Sequence, residues 1–418
     1  MATTMTLVAY EHQTLRLGDT PGLREAHLTA LLALQERHAA RWFMPLRQGI
    51  KLTSYVGVMQ VPGLTLEILP KLDDPHRART GDAEAAHWQH VLLRLLKATH
   101  QLPVTVPSAA ALAQARHSML DVFIAAFLTQ VETLLRQGLK KQYRPVEGNQ
   151  RVLRGRLLFA QQLRHNLVHA EQFYTRAHTY DATHPLHALL RQALHVASAV
   201  ATSEQLATRA RSMLGQWPEM PPVAVPTELP VLTHATARYR PALELALLLL
   251  QRHSPAPQAG RTTAVALLFD MNRLFESYVA QQVRRAAPAL HCRVAAQASQ
   301  YLWHDVAVRP DIVVTLPGGA TVVLDTKWKV PTSQRPSAAD LQQLLAYCHL
   351  WGAAHGLLVY PTNPSPHPSR STQQPYAPGR LAIAVQGHVL FADILLPDGR
   401  LNLDFGRQLL SYLMTLPQ

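Results

Sequence analysis

Asp325, Thr326 and Lys327 lie in the apolar run Thr321-Val-Val-Leu-Asp-Thr-Lys-Trp328, and Arg309-Pro310-Asp311 comes shortly before it. Asp311-Ile-Val-Val-Thr-Leu316, the turn Pro317-Gly-Gly-Ala320 and Thr321 to Trp328 read as a β-hairpin. Alternate residues of a strand share a face, so Asp325 and Lys327 point the same way. Asp311 opens the neighbouring strand and is folded back beside them. Two carboxylates offer oxygen ligands to a hard divalent cation, and the ammonium sits next to them. That is equipment for metal-assisted phosphodiester hydrolysis. The plain alternative is a surface hairpin with an Asp–Lys ion pair, and an isolated D-x-K would not outweigh it.

The flanking elements strengthen the catalytic reading. Ala264 to Arg285 reads as one amphipathic helix, with Val265, Leu268, Phe269, Phe275, Val279 and Val283 on one face. Glu276 falls inside that apolar arc, where a carboxylate is costly without a partner, and a metal or a lysine would supply one. A further helix begins over Asp340–Tyr347, and Gly356–Tyr360 reads as a buried strand. The order helix, strand, strand, helix, strand, with these carboxylates, resembles the PD-(D/E)xK nuclease core. In that resemblance Arg309-Pro310-Asp311 stands for the "PD" element and Asp325-Thr326-Lys327 for "(D/E)xK". Glu276 stands for the acidic residue of the first helix and Gln343 for the glutamine of the following one. The resemblance implies Mg²⁺, with Mn²⁺ as a substitute, held by Asp311, Asp325 and the main-chain carbonyl of Thr326. Glu276 would be a further ligand or an orienting group. Lys327 would orient or deprotonate the attacking water, or offset charge on phosphorus.

Composition agrees with a globular nucleic-acid enzyme. The 418 residues are 48% hydrophobic, enough for two or three cores, and carry a net charge of +13. An excess of that size favours a polyanionic partner such as double-stranded DNA over a membrane surface, although an arginine-rich background would give the same number. Two cysteines, Cys292 and Cys348, belong to no ligand pattern. No leader-like N-terminus or membrane-length apolar run is read, so the expected location is the cytoplasm. His184-Pro-Leu-His187 lacks further ligands and is read as structural. No G-x-x-x-x-G-K-[S/T] occurs, so no nucleotide-binding loop is expected.

Three segments are expected within a mixed, multidomain α/β chain. Residues 1–105 read as an α+β domain, with a helix over Gly22–Arg37, a hairpin from Leu52–Val61 to Leu64–Pro70, and a helix over Ala83–His100. Residues 106–258 read as mostly helical, for example Met119–Leu139 and Leu186–Ala201, interrupted by the proline-rich Trp217–Pro230. Residues 259–418 hold the nuclease-like core, with a loop over Pro361–Pro378, strands over Arg380–Val385 and His388–Leu396, and a helix over Leu401–Met414.

The front half narrows the choice among nucleases. Tyr55-Val-Gly-Val-Met-Gln-Val61, Leu66-Glu-Ile-Leu-Pro-Lys71, Leu153-Arg-Gly-Arg-Leu157 and Leu274-Phe-Glu-Ser-Tyr-Val279 resemble, in order and spacing, the McrC family of McrBC-type restriction systems. Where that family usually has an Asp and an Asn, Thr183-His-Pro-Leu-His187 has histidines. The resemblance implies a nuclease subunit that docks through residues 1–105 on a hexameric AAA+ GTPase, stimulates its GTP hydrolysis and cuts DNA carrying 5-methylcytosine. Two alternatives stay open: a repair or defence nuclease with a different motor, and a non-cleaving, DNA-binding activator of such a motor.

Overall fold

Short apolar runs bounded by turn residues become strands, and the parallel set among them carries the candidate site. The computed structural model describes residues 5–70, 82–101, 118–169, 171–255, 263–329, 331, 335–362, 371–375, 385–396 and 400–417. The protein is mixed α/β and divides into two compact units, residues 1–119 with 268–418, and residues 120–267. Both terminal segments of the sequence reading thus contribute to one unit.

That first unit contains a six-stranded sheet in the order Arg293–Ala296, Ile312–Thr315, Thr321–Thr326, His355–Thr362, Gln386–Asp393, Ser371–Pro375. The hairpin forms as expected: Ile312 pairs with Leu324 and Thr315 with Thr321, and Gly319 takes φ +89 in the turn. Thr321–Thr326, His355–Thr362 and Gln386–Asp393 run parallel. A parallel connection needs a crossover, here the helix Ala338–Trp351. It starts at a capping box between Ser337 and Asp340. Its Leu344, Tyr347 and Cys348 pack with Val323 and Leu358 in one buried cluster. Gly356 permits that approach, because a Cβ there would stand 2.5 Å from Cys348 Sγ.

The expected helix over Ala264–Arg285 is corrected by the structure. Thr263–Asp270 is a strand, and the helix is Met271–Ala286. Residues 264–268 are all buried, and a run covered on every side carries no periodicity that separates strand from helix. Asp270 marks the break, its side chain accepting from Asn272 N at 3.0 Å as the helix cap. The C-terminal helix Phe405–Met414 crosses Met271–Ala286 closely enough that a Cβ on Gly406 would meet Gln282 O at 2.1 Å. It begins after the expected Leu401 because Asn402 is bonded elsewhere, donating to Asp393 O at 3.0 Å. The expected strand His388–Leu396 is observed as Gln386–Asp393, while most of Arg380–Val385 and Lys71 lie outside the described residues.

In the same unit, Leu64–Leu69 lies between Met5–Tyr10, parallel, and Tyr55–Val61, antiparallel. Gly49–Leu52 instead joins a second sheet with Thr14–Arg16 and Phe43–Leu46, so the strand expected from Leu52 starts at Tyr55. The helices Glu25–Arg37 and Asp82–Ala98 fall where expected, within a few residues.

The second unit has the helices Pro185–Val200, Glu204–Gln216 and Arg240–Gln251 and most of Met119–Gln137. It also contains a three-stranded antiparallel sheet of Gln142–Gln150, Phe173–Asp181 and Arg156–Leu157, which the mostly helical expectation omitted. Gln142–Gln150 alternates between exposed and half-buried residues, and Phe173–Asp181 buries only Thr175 and Ala177, so the strands leave a weak sequence signal. Gly155, at φ +82, lets the Leu153–Leu157 motif approach Arg176 O to a distance no side chain would allow. His184 caps the helix Pro185–Val200, and His187 bonds to Ala182 O at 2.6 Å and Tyr239 OH at 2.9 Å. Both side chains are thus hydrogen-bonded within the fold.

Candidate active site

The hairpin register builds the site. One step beyond the Ile312–Leu324 pair, Asp311 stands across from Asp325. Asp311 Oδ2 accepts both Thr326 N–H and Thr326 Oγ1–H, each at 2.6 Å. The two motifs are therefore bonded to each other directly. Asp325 and Thr326 sit at the C-terminal end of a strand whose parallel neighbour supplies Val359 O to Lys327 N at 2.9 Å. Functional groups of open parallel sheets collect at that end of the strands.

Lys327 Nζ lies 2.8 Å from Asp325 Oδ2 and donates to Gln343 Oε1 at 2.8 Å. Gln343 in turn donates to Tyr347 OH at 2.8 Å. Glu276 is half-buried on the helix Met271–Ala286 and accepts from Gln297 Nε2, whose amide oxygen accepts from Arg309 at 2.8 Å. All five residues singled out by sequence are thus part of connected networks, Asp311, Asp325, Lys327 and Gln343 around the strand end and Glu276 facing them.

Electrostatics tie Glu276 to the others. Burial raises its carboxyl above the usual range, and the charge of Asp311 adds to that. Burial likewise raises Asp311, opposed by the two Thr326 hydrogen bonds. Asp325 is 2% exposed, and burial pushes its carboxyl up to about 6 although Lys327 pulls it down. Lys327 moves upward too: burial disfavours its ammonium, but Asp325, Asp311 and Asp340 outweigh that. Three carboxyls with raised values beside a firmly charged lysine mark a strained, charge-dense site.

Two groups escaped the sequence reading. Asp340, expected only as a helix start, accepts from Lys329 Nζ at 2.6 Å and from Tyr360 OH at 3.1 Å. The alternation Asp325, Lys327, Lys329 could have pointed to it. Gln297 had no local signal, since its role depends on a fold that brings it to Glu276.

The residues fit a small divalent cation in a limited way. Among the described residues no three His, Cys, Asp or Glu side chains are grouped to hold a metal. Two carboxylates remain, and Mg²⁺ commonly takes only one or two, keeping several waters. Asp325 Oδ2 is buried with Lys327 Nζ at 2.8 Å, and its second lone pair is the one a cation would take.

Fold and site together define a mixed α/β protein with a carboxylate–lysine centre at a strand end. Residues 50–361 match the family described as McrBC 5-methylcytosine restriction system component, and the chain belongs to that family. A chain in the refined half-complex from a tetradecameric assembly of Thermococcus gammatolerans McrB AAA+ hexamers with bound McrC is similar at TM-score 0.73 and 20% identity, over 98% of this chain and 99% of that one. A chain in the cryo-EM structure of the T. gammatolerans McrBC complex is similar at TM-score 0.50 and 20% identity, over 68% of this chain and 88% of that one. At that identity the likeness is one of fold. No curated protein matches the chain. Among the described residues, no helix is long and apolar enough to cross a membrane.

Proposed function

We propose that this chain is the endonuclease subunit of a McrBC-type, 5-methylcytosine-dependent restriction system. In this reading it cuts double-stranded DNA with Mg²⁺ through a PD-(D/E)xK core, assembled on a hexameric AAA+ GTPase whose hydrolysis it stimulates. The observation that carries the nuclease part is the facing pair Asp311 and Asp325 with Lys327 at 2.8 Å. Family membership supports the restriction system, and the similar chains come from complexes whose names include McrB AAA+ hexamers. The absence of a nucleotide-binding loop motif in the sequence fits a separate motor.

Asp311, Asp325 and the Thr326 carbonyl would hold the ion, with Glu276 as an orienting group beside it. When bound, Mg²⁺ polarises a phosphoryl oxygen and makes a bound water more acidic. Lys327, kept charged by Asp325, stabilises negative charge growing on phosphorus and orients the attacking water. Gln343 fixes the ammonium from the other side. Thr326 holds Asp311 in place.

The test is cleavage of methylated DNA by the full chain with its motor. Asp311→Ala, Asp325→Ala and Lys327→Ala should each lower the rate on the order of 100- to 1,000-fold, with motor binding and GTP turnover retained. Undiminished cleavage by Asp325→Ala would refute the site. GTP stimulation without any nicking by the unmodified complex would favour the non-cleaving activator instead.

A further inference from the structure

Gln300–Trp303 and Val306–Val308 form a two-stranded ribbon that belongs to no other sheet. Tyr301 and Trp303 are each 71% exposed, and Leu302 and Val306 about half. The register shifts between Tyr301 and Trp303, and His304 takes φ +35 in the turn. An isolated ribbon is marginal in water, and one with its aromatic residues uncovered is poorly explained by folding alone.

Its two legs are rooted in the candidate site. Gln297, before the first strand, donates to Glu276, and its N–H donates to Asp311 O at 3.0 Å. Arg309, after the second strand, donates to Gln297 at 2.8 Å and leads through Pro310 to Asp311. The ribbon therefore springs from residues bonded to Glu276 and Asp311.

We infer that the ribbon is a DNA-contacting element, seating Tyr301 and Trp303 in a groove of the duplex against its bases while the neighbouring phosphodiester lies in the site. This rests on the nuclease reading. Dimensions agree: from Arg309 to the turn the ribbon rises roughly 13 Å at strand spacing, enough to reach base edges, and a major groove about 12 Å wide admits a two-stranded ribbon. Exposed aromatic and apolar residues are the types that stack on or wedge between bases. Arg309 is exposed at the root, where phosphates would run, and Asp305 is the one carboxylate in the ribbon.

The experiment uses the full chain, assembled with its motor, in an Asp325→Ala background so that binding is read without cleavage. A methylated duplex carrying 2-aminopurine beside the cleavage position is titrated. The double variant Tyr301→Ala/Trp303→Ala should weaken duplex binding on the order of ten- to a hundred-fold and abolish the fluorescence change, with motor assembly and GTP turnover unaltered. With Asp325 restored, its cleavage should fall mainly through KM. Unchanged affinity and fluorescence would overturn the inference. So would loss of motor assembly or of self-association with DNA binding intact, which would make the ribbon a protein-docking element. Failure of the nuclease reading would show separately, as full cleavage by Asp325→Ala alone.

Discussion

Thr326 donates twice to one oxygen of Asp311, through its amide and through its hydroxyl, both at 2.6 Å. Arg309-Pro310-Asp311 and Asp325-Thr326-Lys327 are thus locked together by a single residue that neither acid–base chemistry nor charge would have singled out. Hydrogen bonds to charged groups contribute about 1.5–3 kcal/mol. Thr326→Val should therefore let Asp311 rise further, moving the acid limb of the cleavage profile to higher pH. It should also raise the half-saturating Mg²⁺ concentration on the order of ten-fold. Thr326→Ser, which keeps the hydroxyl, should behave like the unmodified protein. Matching Mg²⁺ titrations for the Val and Ser variants would contradict this account.

Asp325 ties stability to pH in the direction opposite to a paired surface carboxylate. Its value is about 6 in the folded protein against an ordinary 3.8. Between those values the folded state keeps a proton that the unfolded chain has lost, so stability declines as pH rises from about 4 to about 6. Above that window the penalty is complete and amounts to at most about 3 kcal/mol. Asp325→Asn, which mimics the neutral form, should melt at higher temperature than the unmodified protein at pH 7 in EDTA, with the difference vanishing near pH 4. An equal or lower melting temperature at pH 7 would count against a destabilising charge.

Glu276 is held by Gln297 and raised by burial. Glu276→Gln keeps the shape and gives up the charge. Cleavage should slow on the order of ten- to a hundred-fold while the urea midpoint barely moves. Wild-type cleavage with unchanged Mg²⁺ dependence would make Glu276 a structural residue only.

Trp328 follows Lys327, donates its indole N–H to the buried Glu11 at 2.8 Å and packs on Phe275. Trp328→Phe removes that donor and should cost about 1–3 kcal/mol in urea denaturation. A variant as stable as the parent would show that Glu11 is satisfied without the indole.

Gly356→Ala would drive a methyl into Cys348 Sγ and Leu344. Overpacking of this kind costs about 1–3 kcal/mol, and because the helix displaced carries Gln343, cleavage should drop as well. Retention of both stability and activity would mean that the helix can recede without consequence.

The Glu11–Trp328 bond also explains why the terminal segments are not separable pieces. It joins residues 317 positions apart in sequence, so fragments beginning near residue 259 would lack part of their own core. Partner docking is better tested by point variants in the full chain.

The sequence alone determined the hairpin, because two short apolar runs on either side of a Pro-Gly-Gly-Ala turn fold back on each other, pairing Ile312 with Leu324. That register fixes Asp311, Asp325 and Lys327 relative to one another. Glu276 came from the apolar arc of a helix whose first turns are in fact strand, and Gln343 from the resemblance to the nuclease core. The strand Thr263–Asp270 was misread as helix because a segment buried on all sides loses its period. The sheet around Phe173–Asp181 was missed because its strands bury few large apolar side chains and so resemble no core strand. Only tertiary structure decided that Thr326 clamps Asp311, that Gln297 reaches Glu276, that Lys329 pairs with Asp340 and that Glu11 supports Trp328. Each of these bonds joins residues whose proximity depends on sheet order and helix packing, and no local pattern of side chains encodes that.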